Sequence, residues 1–189
     1  SLSDLEQATE APAHTRVLHR RKRPAPVIAC DGYRSIEQAI TGMDPHRNYV
    51  VINYGAWSML HLLLYLVRTF TGKAEVWITT WSINEDVIKQ LVMAREQELI
   101  GQIHFLFDYR VKKYRPGAYF LAEKNFDTRI TSCHAKVTVI RGEKMDVTVL
   151  GSANYTRNNR IEAMMIIPGK QEADDHQRWI DERLRLAAG

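Results

Sequence analysis

Cysteine is nearly absent: of 189 residues only Cys30 and Cys133 carry thiols, and they form no Cys-x-x-Cys pair. That excludes a disulfide-dense scaffold and a cysteine-based structural zinc motif, and a reducing, cytoplasmic setting is the expectation. Long apolar runs are missing as well. The most hydrophobic window, AWSMLHLLLYLVRTF, has about 15 residues, already contains Arg68, and is shorter than the roughly 20 that cross a bilayer. It reads as a core helix, and no membrane partner is expected. The amino terminus shows no cationic start followed by an apolar stretch and a small-residue cleavage site, so no export signal is expected. There is no internal repeat, glycine-rich nucleotide loop, zinc finger or low-complexity tract. Nor do the carboxylates gather as they do where two-metal nucleases hold Mg²⁺. The expectation is a protein without metal or other cofactor.

What is present is a globular composition, 45% hydrophobic and 25% charged, in a length that suits one domain with a real core. The formal charge of +4 permits a phosphate-rich partner without demanding one. The basic residues are unevenly placed. Residues 1–26 begin mildly acidic and then pack Arg16, Arg20, Arg21, Lys22 and Arg23 ahead of Pro24 and Pro26. This reads as a basic arm with an extended connector, either solvated or the end of a short helix, or else a contact with a nucleic-acid backbone or another anion, followed by a single α/β domain over 27–189.

Across that domain two periods alternate. NYVVINYG, AEVWITTWSI and QIHFLFD read as strands, and the stretches from Ala56 to Thr71 and from Glu85 to Leu99 as helices. Gly72 and Gly101 stand where those helices would stop, and Ser82 with Glu85 has capping-box spacing. Tyr109 to Asp127 reads as a connection with an uncertain helix. RITSCHAKVTVI and DVTVLGSA are predicted strands joined by the polar turn RGEKM, EAMMIIP is the last strand, and QEADDHQRWIDERLRLAA is an amphipathic helix. Successive strand and helix units imply a mixed, largely parallel sheet flanked by helices.

The chemistry-bearing residues cluster in the second half. On a strand His134 and Lys136 would share a face, with Cys133 turned away. An imidazole can attack phosphorus or move a proton, while an ammonium group steadies non-bridging oxygens. Gly151-Ser152-Ala153-Asn154 ends the next strand, offering a permissive turn, a hydroxyl and an amide donor. Glu162 begins the following apolar run, where its carboxylate could orient an imidazole. Arg157 and Arg160 flank the turn as candidate nucleic-acid contacts. Trp77, Trp81, His61 and His104 read more simply as packing or interface residues.

His-x-Lys, then Gly-Ser-x-Asn, then a downstream Glu resembles the signature of the phospholipase D superfamily, and in particular its small single-motif nucleases. The resemblance spans about Tyr49 to Ile167. It implies a phospholipase D-like fold and a phosphodiesterase with His134, Lys136, Asn154 and Glu162 as catalytic residues. Lys136, Ser152 and Asn154 would bind phosphate. It further implies DNA or RNA as substrate, a phosphohistidine intermediate, and a homodimer that brings two copies of His134 together. Two other readings stay open: a lipid or small-molecule phosphodiesterase, and a catalytically weakened nucleic-acid-binding protein. The chain departs from the motif in one place. Arg141 stands where the family has aspartate, and the gap from Lys136 to Gly151 is longer, with Asp146 inside it.

Overall fold

The computed structural model describes residues 27–29, by backbone alone, together with 36–156 and 160–186. The basic arm containing Arg20, Arg21, Lys22 and Arg23, and also Arg157, therefore lies outside the described residues. Among the described residues eight strands form one sheet: β1 (Val27–Ala29), β2 (Tyr49–Asn53), β3 (Ala74–Thr80), β4 (Ile100–Asp108), β5 (Asp127–Thr131), β6 (Val137–Gly142), β7 (Asp146–Gly151) and β8 (Glu162–Pro168). Their spatial order is β1-β2-β8-β7-β6-β3-β4-β5.

The architecture is a mixed α/β sheet flanked by helices, as the alternating periods imply. Its parallel share is smaller than expected. β1-β2, β3-β4 and β4-β5 run parallel, whereas β2-β8, β8-β7, β7-β6 and β6-β3 run antiparallel. The cause is local: among the described residues the connections β6 to β7 and β7 to β8 hold no crossover helix, so those strands return beside one another in opposite directions.

One face of the sheet is covered by α2 (Met59–Leu66, continuing as a π-helical turn Val67–Thr71), α3 (Glu85–Glu96) and α5 (Pro116–Asn125), with α1 (Ile36–Ala39) beside α2. Buried Leu62, Leu63, Leu66, Ile88, Leu91, Phe105 and Phe107 form its centre. The other face is covered by α6 (Lys170–Leu186), whose Ala173, Ile180 and Leu184 meet Trp77, Leu106, Val137 and Val139 in a smaller core. Gly72 ends the first long helix at φ +70°, as its placement suggests.

Three details differ from the sequence reading. α3 is capped by Asn84, without a side-chain cap bond, and stops at Glu96. The capping box sits instead on α2, where the Ser58 hydroxyl accepts from the His61 amide and the His61 ring accepts from the Ser58 amide. His61 is thus an exposed cap residue rather than a packed one. Tyr109–Asn125 holds two helices, α4 (Tyr109–Tyr114) and α5, separated at Arg115.

The most consequential difference is in RITSCHAKVTVI, which is two strands. β5 lies at the sheet edge beside β4, while β6 pairs with β3 on the far side. Ser132–Lys136 crosses between them over the ends of β4 and β3. The period-two pattern continues on both sides of this crossing, which hides the break from a sequence reading.

Candidate active site

Topology brings the ends Asn53, Thr80, Asp108, Thr131 and Gly151 and the starts Val137 and Glu162 to one end of the sheet. The carboxyl ends of parallel strands are where open α/β sheets place their sites. His134 and Lys136 reach this end on the crossing segment, not on a strand face as expected.

Two buried polar residues pin that segment on either side of His134. Asp108 closes β4; one carboxylate oxygen accepts the Cys133 amide at 3.0 Å and the other the Arg110 amide at 3.0 Å. Thr79, in β3, donates its hydroxyl to the Ala135 carbonyl at 3.1 Å and accepts the Val137 amide at 3.0 Å. Both side chains are buried, so these bonds are shielded from competing water. Between the pins His134 is exposed to solvent.

Trp81 stands against it. The indole is tilted on the His134 ring with centroids 5.1 Å apart, while Lys136 Nζ and the Arg110 guanidinium lie 5.4 and 5.3 Å from the indole centre. An aromatic face at that range attracts both cations. Lys136 Nζ also donates to the His134 carbonyl at 2.8 Å and lies 3.5 Å from Nδ1, so Nε2 is the ring nitrogen left for substrate. Burial lowers the Lys136 pKa from its ordinary value, against the opposing pull of nearby acidic groups that include Glu162 and Asp108.

The second wall is the loop after β7. Gly151 is required by packing: a Cβ there would come within 2.7 Å of Met164 Cβ and 2.8 Å of the Ala163 carbonyl on β8. Tyr155 anchors the loop. Its buried phenol shares a hydrogen bond with the Thr138 hydroxyl at 2.8 Å, and burial raises its pKa. Its amide donates to the Ser82 carbonyl, and its own carbonyl accepts from Asn84. Asn154 Oδ1 accepts from the Thr80 hydroxyl at 3.0 Å, which turns the amide nitrogen away from that contact. The Ser152 hydroxyl donates to Glu162, and its backbone amide donates to Ala163. Both Ser152 donors are engaged within the chain, and its hydroxyl braces Glu162. Arg160 is exposed beside Glu162.

Arg141 and Asp146, the departure from the motif, are at the opposite end of the β6-β7 hairpin. They are direct cross-strand partners, 3.4 Å apart, and Arg141 also reaches Asp174 of α6 at 2.7 Å. The lengthened gap therefore extends the hairpin away from His134.

Trp77 is buried in the smaller core, with its indole N–H donating to Asp181. His104 stacks on it between Glu75 and Asp127. Both have the packing roles the sequence suggests. Asp108, Thr79 and Arg110 were not singled out by the sequence, and Trp81 was read as packing. The one available signal was Asp108 and Thr80-Trp81 ending adjacent predicted strands.

No family model matches the chain, and no curated protein matches it. Among solved structures it is similar to TrmBL2, an archaeal chromatin protein whose structure shows a novel mode of DNA binding. That match has a TM-score of 0.52 at 13% identity over 78% of this chain and 55% of that one. It is also similar to polyphosphate kinase from Porphyromonas gingivalis, with a TM-score of 0.48 at 13% identity over 70% of this chain and 25% of that one. The chain spans about half of the first protein and a quarter of the second. The likeness to TrmBL2 is one of fold.

Proposed function

We propose that the protein is a phosphodiesterase of the phospholipase D type, acting on nucleic acid without a metal ion. The observation that carries this reading is the exposed His134 imidazole, held between two buried pins and beside Lys136, on the same sheet end as Asn154 and Glu162.

In the first displacement His134 Nε2 attacks phosphorus, the bond from phosphorus to the leaving oxygen breaks, and a second imidazole gives that oxygen its proton. In the second, the same imidazole takes a proton from water, the hydroxide attacks phosphorus, and the phosphorus–nitrogen bond breaks to free His134. Lys136 and the Asn154 amide face the charge that builds on the non-bridging oxygens. Glu162 balances the local positive charge and is held in place by Ser152. The second imidazole is His134 of a second copy, which makes the homodimer the reactive unit.

Nucleic acid is favoured by Arg110, Lys136 and Arg160 at the site and by the amino-terminal run of arginines. The fold shared with a DNA-binding chromatin protein agrees with that choice. The test is cleavage of single-stranded DNA, RNA and a simple aryl phosphodiester in excess chelator. Wild type should turn over, and His134→Ala should lose about 10⁴-fold or more of kcat/KM. Retention of activity by purified His134→Ala would remove the nucleophile from the reading, and salt-sensitive binding without turnover would leave a nucleic-acid-binding protein.

A further inference from the structure

Next to the phosphate-handling residues lies a cavity of about 490 Å³, with Asn154 and Glu162 in its wall but not His134 or Lys136. That volume falls in the range of small-molecule sites, roughly 300–1,000 Å³. The cavity lies between the first turn of α2, the first turns of α3 and the loop after β7, and three properties of its wall restrict what it accepts.

The first property is charge. Asp86 and Glu162 outnumber Arg160 in its wall, so a phosphate placed inside would meet a net negative charge. The second is polarity. Asn84, which makes no side-chain cap bond to its own helix, and Gln90 each present an amide with one donor and one acceptor edge. The third is an aromatic residue: Trp57, 7% exposed, is part of the wall. An acyl chain would leave the amides stranded, and burying an unpaired polar group is costly. A neutral planar heterocycle with donors and acceptors on its edge avoids the carboxylate repulsion and meets the amides. Met59 and Val87 supply apolar contact for its faces.

We propose that this cavity receives one unstacked nucleobase beside the scissile phosphate, which makes single-stranded nucleic acid the preferred substrate. The proposal rests on the phosphodiesterase reading above and adds to it the strand preference. In a duplex the base edges are paired and the faces stacked, so entry would first require flipping the nucleotide out. The phosphate stays outside the cavity, on the Lys136 side of Asn154, and Arg160 in the wall faces the backbone.

Two p-nitrophenyl esters test this, because they share a leaving group and differ in the base: thymidine 5′-(p-nitrophenyl phosphate) and methyl p-nitrophenyl phosphate. Wild type should favour the thymidine ester by about tenfold or more in kcat/KM, the size of one base–protein stacking contact. Val87→Trp, which fills the cavity, and Gln90→Ala, which removes one exposed amide without steric load, should both shrink that ratio, the first to within about threefold of unity. The ratio is internal to each variant, so a smaller folded fraction leaves it unchanged. A parallel binding measurement uses the full chain carrying His134→Ala with a fluorescent single-stranded tetranucleotide and its abasic counterpart. The tetranucleotide should bind about tenfold tighter. Equal binding of the two overturns the proposal whether or not either ester is hydrolysed. If the methyl ester turns over and the ratio does not respond to Val87→Trp, the cavity assignment fails and the phosphodiesterase reading stands.

Discussion

The two ends of the sheet hold their charges in opposite ways. At the end away from His134, cations are matched by carboxylates: Arg141 with Asp146 and Asp174, Lys170 with Asp174, and Lys73 with Glu98. At the His134 end, Lys136 and Arg110 lie over the Trp81 face; Lys136 donates to a carbonyl, and Arg110 reaches the Asp108 carboxylate at 3.9 Å. An indole attracts a cation without neutralising it, so the field at that end stays available to an anion. The starts of α2 and α3 add their partial positive charge there. One end uses its charges to close the fold, and the other keeps Lys136 for a ligand. Arg141, at the position where the resemblance departs, belongs to the closed end.

The strongest way to break this contrast is to remove one cation from each end. Lys136→Ala should lower kcat/KM for an aryl phosphodiester by about 10³-fold, as expected for a group facing transition-state charge. Arg141→Ala should leave kcat/KM within about twofold and cost about 1 kcal/mol in a urea titration, as for a partly exposed ion pair. Equal kinetic effects would erase the distinction between the ends.

A second test acts on the buried anchor. In Asp108→Asn the amide nitrogen must face either the Cys133 or the Arg110 amide, donor against donor. The loss should be about 2 kcal/mol of stability, read by chemical denaturation. Activity should fall by about 10- to 100-fold because His134 loses one pin. An unchanged rate would mean that Thr79 alone holds the segment.

The indole can be tested in graded form. Trp81→Phe keeps an aromatic face and should cost about threefold in kcat/KM, whereas Trp81→Leu should cost about tenfold. Equal losses would point to packing rather than the aromatic face.

The smallest effect is at the closed end. Hydrogen bonds from Lys170 and Arg141 hold the Asp174 carboxyl below its ordinary pKa, opposed by slight desolvation. Its folded pKa is therefore lower than its unfolded one. The stability this contributes is present above about pH 4 and is lost as pH falls through the depressed folded value. Asp174→Asn should lower Tm by about 1–2 °C at pH 7, with the gap to wild type narrowing below pH 4.

Much of the fold was legible because its signals are local. The alternation in NYVVINYG and AEVWITTWSI, the apolar stripe ending at Gly72 and the amphipathic final helix each follow from side-chain periodicity. The grouping of His134, Lys136, Asn154 and Glu162 at one sheet end followed from the motif. Strand order was less accessible, because it depends on which connections lack a helix, and so the parallel content was overestimated. Asp108, Thr79 and Trp81 were hidden for another reason. Each contributes through residues remote in sequence, and nothing near Asp108 in the chain signals that it holds the amide of Cys133.

The crossing from β5 to β6 has a consequence for length. Between those strands stand β4 and β3, so the chain travels three inter-strand spacings, about 14 Å at 4.8 Å each. From Thr131 to Val137 a fully extended chain reaches about 20 Å, which leaves little slack once the pins at Cys133 and Ala135 are made. The segment bearing His134 behaves as a nearly taut strap whose length is matched to the width of the sheet below it. Removing one residue would pull a pin free, and adding one would let the imidazole sag away from Trp81. The composition of this stretch is therefore open to variation in a way that its residue count is not.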